Sequence, residues 1–231
     1  MLGGRGRRRR AQQKLLVVIH SALHGKHRAP LAQYFGVRGR FEGTNDGVGK
    51  CHVVAHRHQQ TVPSMIEDFR RAASLYVEAL NAATRNIPSE AMRMHICWGN
   101  YPGPHTHDVP FREIADIVFA ARPQAVLFEA ANPRHAHEWE DLAELPIPED
   151  KILIPGVIDT LSSTVEHPTL IAQHICRFAD IVGRERVMAG TDCGFATLAS
   201  LPRVWPTIAW EKLRALSDGA ARATDRLWGR G

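Results

Sequence analysis

His95-Ile96-Cys97 sets an imidazole and a thiol two residues apart inside an apolar run. On an extended strand that spacing turns both side chains to one face and Ile96 to the other. Glu129 closes the run Ala125-Val126-Leu127-Phe128, where a buried carboxylate is costly unless a cation compensates it. Cys193 stands in Thr191-Asp192-Cys193-Gly194-Phe195, with a glycine beside it that lets the backbone turn. Two thiolates, one imidazole and one carboxylate form a borderline-soft tetrahedral set that suits zinc and disfavours magnesium or calcium. Taken singly, each residue also has a plainer reading. A buried cysteine usually fills core, an interior histidine is usually satisfied by its neighbours, and Glu129 could answer Arg134. Cys176, among Leu170, Ile171, Ile175 and Phe178, reads as helix packing.

Other polar residues fall near the same strand ends: Trp98, Asn100, Tyr101, His105, His107, Asn132, Arg134, His135, His137 and Asp159. His105-Thr106-His107-Asp108 could donate protons, bind a second metal, support the first site or simply occupy a surface loop. Asp159 is a candidate to orient substrate or a metal-bound histidine, and equally a cap for the helix that follows. Arg134 could pair with an anionic group on a substrate or, at helical spacing, with Glu138.

These residues need elements to hold them. Short apolar runs alternate with amphipathic segments after Pro88, the rhythm of βα units feeding a parallel sheet. The pattern predicts strands over Met92 to Cys97, Ala125 to Glu129, Ile152 to Ile158 and Val187 to Gly190. It predicts helices over Met65 to Arg85, Pro110 to Ala121, Pro168 to Val182 and Pro206 to Leu216, with an irregular stretch from Asn132 to Leu145. Ser64 followed by Glu67 reads as a capping box, and Gly183 as a C-terminal stop in the left-handed conformation. Two earlier runs, Leu15 to Ile19 and His52 to Ala55, are weaker strand candidates. The chemistry-bearing residues sit at strand ends, and no phosphate-cradling glycine loop follows the first strand, so the expected architecture is a (β/α)8 barrel of TIM type rather than an open doubly wound sheet. Four firm strands and two weaker ones fall short of eight, so the barrel is expected to be incomplete, with strands 5–8 the recognisable ones.

The chain has 231 residues, 44% of them hydrophobic and 23% charged, with four cysteines. No apolar stretch approaches the roughly 18 residues of a membrane span, and the cysteine usage suits a reducing cytoplasm. Residues 1–62 hold 12 lysines and arginines against 2 acids, whereas residues 63–231 hold 17 against 22. The head is therefore basic and the remainder acidic. Arg7 to Arg10 read as a solvated, disordered terminus rather than a nucleic-acid site, because no aromatic interleaving or zinc-finger spacing accompanies them.

Met94-His95-Ile96-Cys97-Trp98-Gly99-Asn100, Phe128-Glu129-Ala130-Ala131-Asn132-Pro133-Arg134, Pro155-Gly156-Val157-Ile158-Asp159 and Gly190-Thr191-Asp192-Cys193-Gly194-Phe195 together resemble the C-terminal catalytic barrel of the cobalamin-independent methionine synthase family. The likeness is greater to its single-barrel members, which include thiol alkyltransferases acting on epoxides with coenzyme M, and it runs from about Ser64 to Trp228. It implies that His95, Cys97, Glu129 and Cys193 are zinc ligands. It further implies methyl or alkyl transfer to a substrate thiol, as in 5-methyltetrahydropteroyltriglutamate-homocysteine S-methyltransferase. From their places at the strand ends, Asp159 is read as catalytic and Trp98, Asn100, Asn132 and Arg134 as binding substrate. In methionine synthases proper a proton-donating histidine follows the Gly-Val-x-Asp motif by two positions; Leu161 stands there in this chain. The expected partners are a small thiol and an alkyl donor, either methyl-folate or an epoxide, with no membrane, no nucleic acid and a homo-oligomer as one outcome. The alternative reading is a truncated, catalytically inactive half-barrel that still binds zinc.

Overall fold

The computed structural model describes residues 15–21, 50–55, 63–100, 102, 103, 105, 108–196 and 203–229, the first two segments by backbone. Tyr101, His107 and the block Arg7 to Arg10 lie outside the described residues.

Five parallel strands form one sheet: β1 (Leu15–Ser21), β2 (Lys50–Ala55), β3 (Met92–Cys97), β4 (Ala125–Phe128) and β5 (Ile152–Pro155), in the order β2-β1-β3-β4-β5. The α-helices are α1 (Pro63–Ala83), α2 (Ala115–Phe119), α3 (Trp139–Glu144), α4 (Pro168–Val182) and α5 (Pro206–Trp228). Both weaker strand candidates are strands, and both pair within this sheet, which therefore draws on residues from either side of position 62. β1 lies between β2 and β3, whereas strands around a (β/α)8 barrel follow chain order. Among the described residues, no pairing closes the sheet into a ring.

β3 and α4 have the predicted bounds. The predicted strand over 152–158 ends its ladder at Pro155, which has no N–H to donate. Pairing nonetheless continues through the backbone: Gly156 N donates to Phe128 O at 2.8 Å and Val157 N to Gly190 O at 2.9 Å. The 187–190 run pairs only through the bridges Leu153↔Val187 and Gly156↔Gly190, which set it beside β5. A side chain at Gly156 would come within 2.7 Å of the Asp192 Cα, so only glycine allows that approach.

The predicted helix over 110–121 divides into a 3-10 turn, Phe111–Glu113, and the short α2. Ile114 between them has left helical geometry (φ −128°, ψ −1°), and the Glu113 carbonyl accepts instead from the Arg70 guanidinium of α1. α1 begins at Pro63, so Ser64 falls inside the first turn, and proline suits the first position because it has no N–H that needs a partner. Gly183 does end α4, at φ 89° and ψ 146°, a positive φ outside the left-handed helical region. α5 runs 12 residues past the predicted Leu216 to Trp228 and is closed by Gly229 in the left-handed conformation. The irregular stretch contains α3, preceded by turns in which His135 N and Ala136 N both donate to Asn132 O.

Strand alternation sorts the sheet's two faces. Met94 and Ile96 of β3, Val126 and Phe128 of β4, and Leu153 of β5 join a core with Leu80, Phe111, Phe119 and Phe178. The alternate residues His95, Cys97 and Glu129 are thereby directed away from that core. A second cluster holds Val157, Ile158, Ile171, Ile175, Ala215 and Ala223, joining α4 to α5. Among the described residues, no helix is long and apolar enough to cross a membrane.

Candidate metal centre

β3 delivers His95 and Cys97 from one face of its C-terminal end, 7% and 0% exposed, and the turn after 187–190 delivers Cys193, also buried at 7%. One ligand atom from each of the three lies within 4.8 Å of the other two. That is the span of a set able to close on one small ion, and the donors are a nitrogen and two sulfurs.

Glu129 is beside this triad, 2% exposed. Its Oε1 accepts from Trp98 N at 2.9 Å and lies 3.7 Å from Cys193 Sγ. Its Oε2 accepts from Asn132 Nδ2 at 2.8 Å and lies 3.7 Å from the Arg134 guanidinium. Burial, reinforced by Cys97 and Asp192, pushes the Glu129 carboxyl up to about 8, against the opposing pull of His135 and the Trp98 N–H. Hydrogen bonding to Cys97 and burial raise the Cys193 thiol. Acidic groups crowded together resist losing their protons until a positive charge joins them. By donor type and by charge, the residues present fit a borderline-soft dication such as zinc.

Asp192 supports this floor. Its Oδ1 accepts from Ala130 N and Ala131 N, and its Oδ2 from Asn132 N and Asn132 Nδ2, all at 2.8–2.9 Å. The carboxylate thereby folds the turn after β4, with Glu129 at its start, around the turn that bears Cys193. Burial pushes its carboxyl up, and these N–H groups oppose the shift.

The other expected residues fall into different places. Asn132 bridges Glu129 and Asp192, and its Oδ1 accepts from Arg134 N and Nε at 3.1 Å. The Arg134 guanidinium lies beside Glu129, and Glu138 faces His135. Asn100 ties three segments together: its Nδ2 donates to Gly194 O at 2.7 Å, and its Oδ1 accepts from Thr160 Oγ1 at 3.2 Å. The Asp159 Oδ1 accepts from Leu161 N at 2.9 Å, so the carboxylate turns the loop after β5. Trp98 is buried and donates its indole N–H to Val109 O at 2.6 Å. His137 is exposed. Cys176 packs in the α4–α5 cluster, as its helical setting predicts.

A second polar cluster stands behind Trp98. The His135 ring stacks on the indole at 4.1 Å between centroids. Its Nε2 meets Asp108 Oδ2 and its Nδ1 meets Glu138 Oε2, both at 3.2 Å. His105 Nδ1 meets the same Asp108 oxygen at 2.8 Å, and Glu138 Oε1 accepts from Phe111 N at 2.9 Å. Burial lowers the His135 pKa, but the two carboxylates outweigh it and raise it to about 9.

A 2-hydroxypropyl-CoM lyase of Xanthobacter autotrophicus is 27% identical over 188 residues, covering 69% of this chain and 46% of that protein. Among solved structures, a B12-independent methionine synthase from Shewanella sp. W3-18-1, in complex with selenomethionine, matches with a TM-score of 0.57 at 20% identity, over 71% of this chain and 47% of the other. The chain is similar to the cobalamin-independent methionine synthase family. It spans about half the length of the relatives it matches. At this identity the structural likeness establishes the α/β fold with a parallel sheet. No protein-family model matches the chain.

Some residues around the site are not singled out by the family motifs. Glu166 accepts from Asp159 N at 2.9 Å and from Lys212 Nζ of α5 at 2.8 and 2.9 Å. The signal was present in the helix period: Lys212, Ala215, Gly219 and Ala223 make one buried stripe, and a lysine on such a stripe requires a partner.

Proposed function

We propose that this protein holds zinc through His95, Cys97, Glu129 and Cys193 and transfers a methyl or alkyl group to a substrate thiol, in the manner of methionine synthases and thiol alkyltransferases. The observation that carries the reading is the convergence of His95, Cys97 and Cys193, all buried, with ligand atoms within 4.8 Å of one another. Glu129 adjoins them, 3.7 Å from Cys193 Sγ. Similarity to a 2-hydroxypropyl-CoM lyase adds support from the sequence.

A free thiol titrates near ~8.5 and is mostly protonated at neutral pH. Zinc, when bound, supplies the Lewis acidity that keeps a substrate thiol ionised. The rest falls to the chain. Cys97, Cys193 and Glu129 contribute three anionic donors, which leave the site electron-rich and the substrate sulfur nucleophilic. Sulfur attack on a folate methyl forms the S–C bond and returns the electron pair to the folate nitrogen; attack on an epoxide carbon returns it to the ring oxygen. No covalent enzyme intermediate is required. Arg134 offers its guanidinium to an anionic substrate group, and Asn132 holds both Arg134 and Glu129 in place. Trp98 and Asn100 line the substrate side, and Asp159 orients the substrate from the loop after β5.

The finer organisation belongs to the same proposal: residues 63–231 supply the site's side chains, the basic residues 1–62 contribute β1 and β2 to its sheet, and the protein works in the cytoplasm, alone or as a homo-oligomer. The test is metal analysis with thiol-alkylation assays, offering homocysteine and coenzyme M against methyl-folate and small epoxides. One zinc per chain and turnover of at least one pair are expected. Absence of zinc after loading would sink the reading; zinc without turnover of any pair would leave a metal-binding protein with no catalysis.

A further inference from the structure

We propose that Lys212 of α5 is a positioning residue for the metal centre, acting through hydrogen bonds joined by the Asp159–Thr160 peptide bond into one chain that ends beside Cys193. The inference rests on the zinc reading above and adds a residue from an element that contributes no ligand.

Lys212 is 0% exposed and Glu166 is mostly buried, and the ammonium meets both carboxylate oxygens and the carbonyl of Thr164. Glu166 Oε1 also accepts from Asp159 N at 2.9 Å, which pins the start of the loop after β5. The next residue, Thr160, is 1% exposed and donates to Asn100 Oδ1, and Asn100 Nδ2 donates to Gly194 O, the carbonyl that follows Cys193. Asn100 itself lies three residues beyond Cys97. One chain of contacts therefore links the helix, the loop and the two segments that supply the thiols.

A buried ion pair is poor value for stability alone, because apolar side chains of similar volume commonly hold a fold equally well. Its geometric specificity is what an apolar pair lacks, and here that specificity is spent on the backbone of Asp159. Partners that orient metal ligands typically alter metal affinity by about 10–100-fold when removed.

The experiment compares the full-length protein with its K212M and T160V variants and the double variant, by two readings. The first is hydrogen exchange of the metal-free proteins. K212M is expected to speed exchange in peptides covering 98–100 and 191–196 while the β3–β5 ladder stays protected. The second is zinc affinity by chelator competition, expected to fall about tenfold in either variant and no further in the double, because both cut one chain. Unchanged exchange at 191–196 in a folded K212M overturns the proposal, as do losses that multiply in the double variant. T160V leaves the ion pair intact and carries the test if K212M does not fold: unaltered exchange at 191–196 in T160V then overturns it. A wild type that takes up no zinc but shows the exchange pattern would sink the zinc reading and leave the relay standing.

Discussion

His95 and His135 are both buried imidazoles, and their surroundings differ in kind. His135 lies between the carboxylates of Asp108 and Glu138, so the protein supplies both the cation and its counter-charges, and the imidazole stays protonated up to about 9. His95 lies with two thiols and beside a carboxyl that burial and its acidic neighbours hold protonated up to about 8. The first cluster sets an imidazolium between its two carboxylates. The second gathers one imidazole and two thiols around a single point beside a carboxyl, the donor types a borderline-soft dication takes. The comparison teaches that burial of titratable groups alone does not mark a metal site; what marks it is the type of donor gathered and its convergence on one point.

The contrast can be broken at several points. The largest effect is expected from Cys97→Ser or Cys193→Ser: stoichiometric zinc should be lost, measured by metal analysis after desalting, while His135→Gln should keep it. Equal zinc in all three proteins would erase the distinction. Next comes Asp192→Ala, which strips the acceptor from three backbone N–H groups and the Asn132 amide. Unsatisfied buried groups cost about 1–3 kcal/mol each, and with partial relaxation the total loss should be about 4 kcal/mol in urea unfolding. A value under about 1 would mean that water replaces the carboxylate.

The His135 cluster predicts a pH effect of definite sign. Its folded pKa, about 9, lies above the unfolded value of 6.5. The stabilisation is therefore complete below about pH 6.5 and disappears as pH rises through about 9; it is worth about 3 kcal/mol, since each unit is about 1.4 kcal/mol. Unfolding curves from pH 6 to 10 should show this decline, and His135→Gln should shrink it without abolishing it, because Glu129, held up to about 8, also favours the protonated fold. The smallest effect is expected at the exposed Arg70–Asp116 pair, 2.7 Å apart on the surface between α1 and α2. Asp116→Asn should cost about 0.5 kcal/mol and fade with salt, which would separate paired charge in water from paired charge in the interior.

Much of the site was legible because its signals are local. The two-residue spacing of His95 and Cys97 needs only a strand to place them together, and β3 has the predicted bounds. Glu129 and Cys193 follow from the same logic, as costly residues at the ends of apolar runs. The role of Asp192 was not legible, since its four partners lie some 60 residues earlier and depend on the glycine-permitted approach at Gly156. Asp159 was read as catalytic or as a cap; its carboxylate accepts from Leu161 N and its own N–H reaches Glu166. α5 continues past the predicted Leu216 through Ser217-Asp218-Gly219, residues that elsewhere favour turns. Gly219 is instead a contact point, where a side chain would strike Ile171 of α4.

Periodicity and residue chemistry by themselves determined the parallel α/β character, the faces of the strands and the kinds of donor offered to an ion. These depend on near neighbours along the chain, whose geometry the backbone fixes. The tertiary structure decided which donors meet, that Arg134 turns to Glu129, that His135 is clamped by two acids, and that a lysine from α5 reaches the loop after β5. Those outcomes depend on long-range approach and on where burial leaves a charge without water, quantities that no stretch of sequence carries alone.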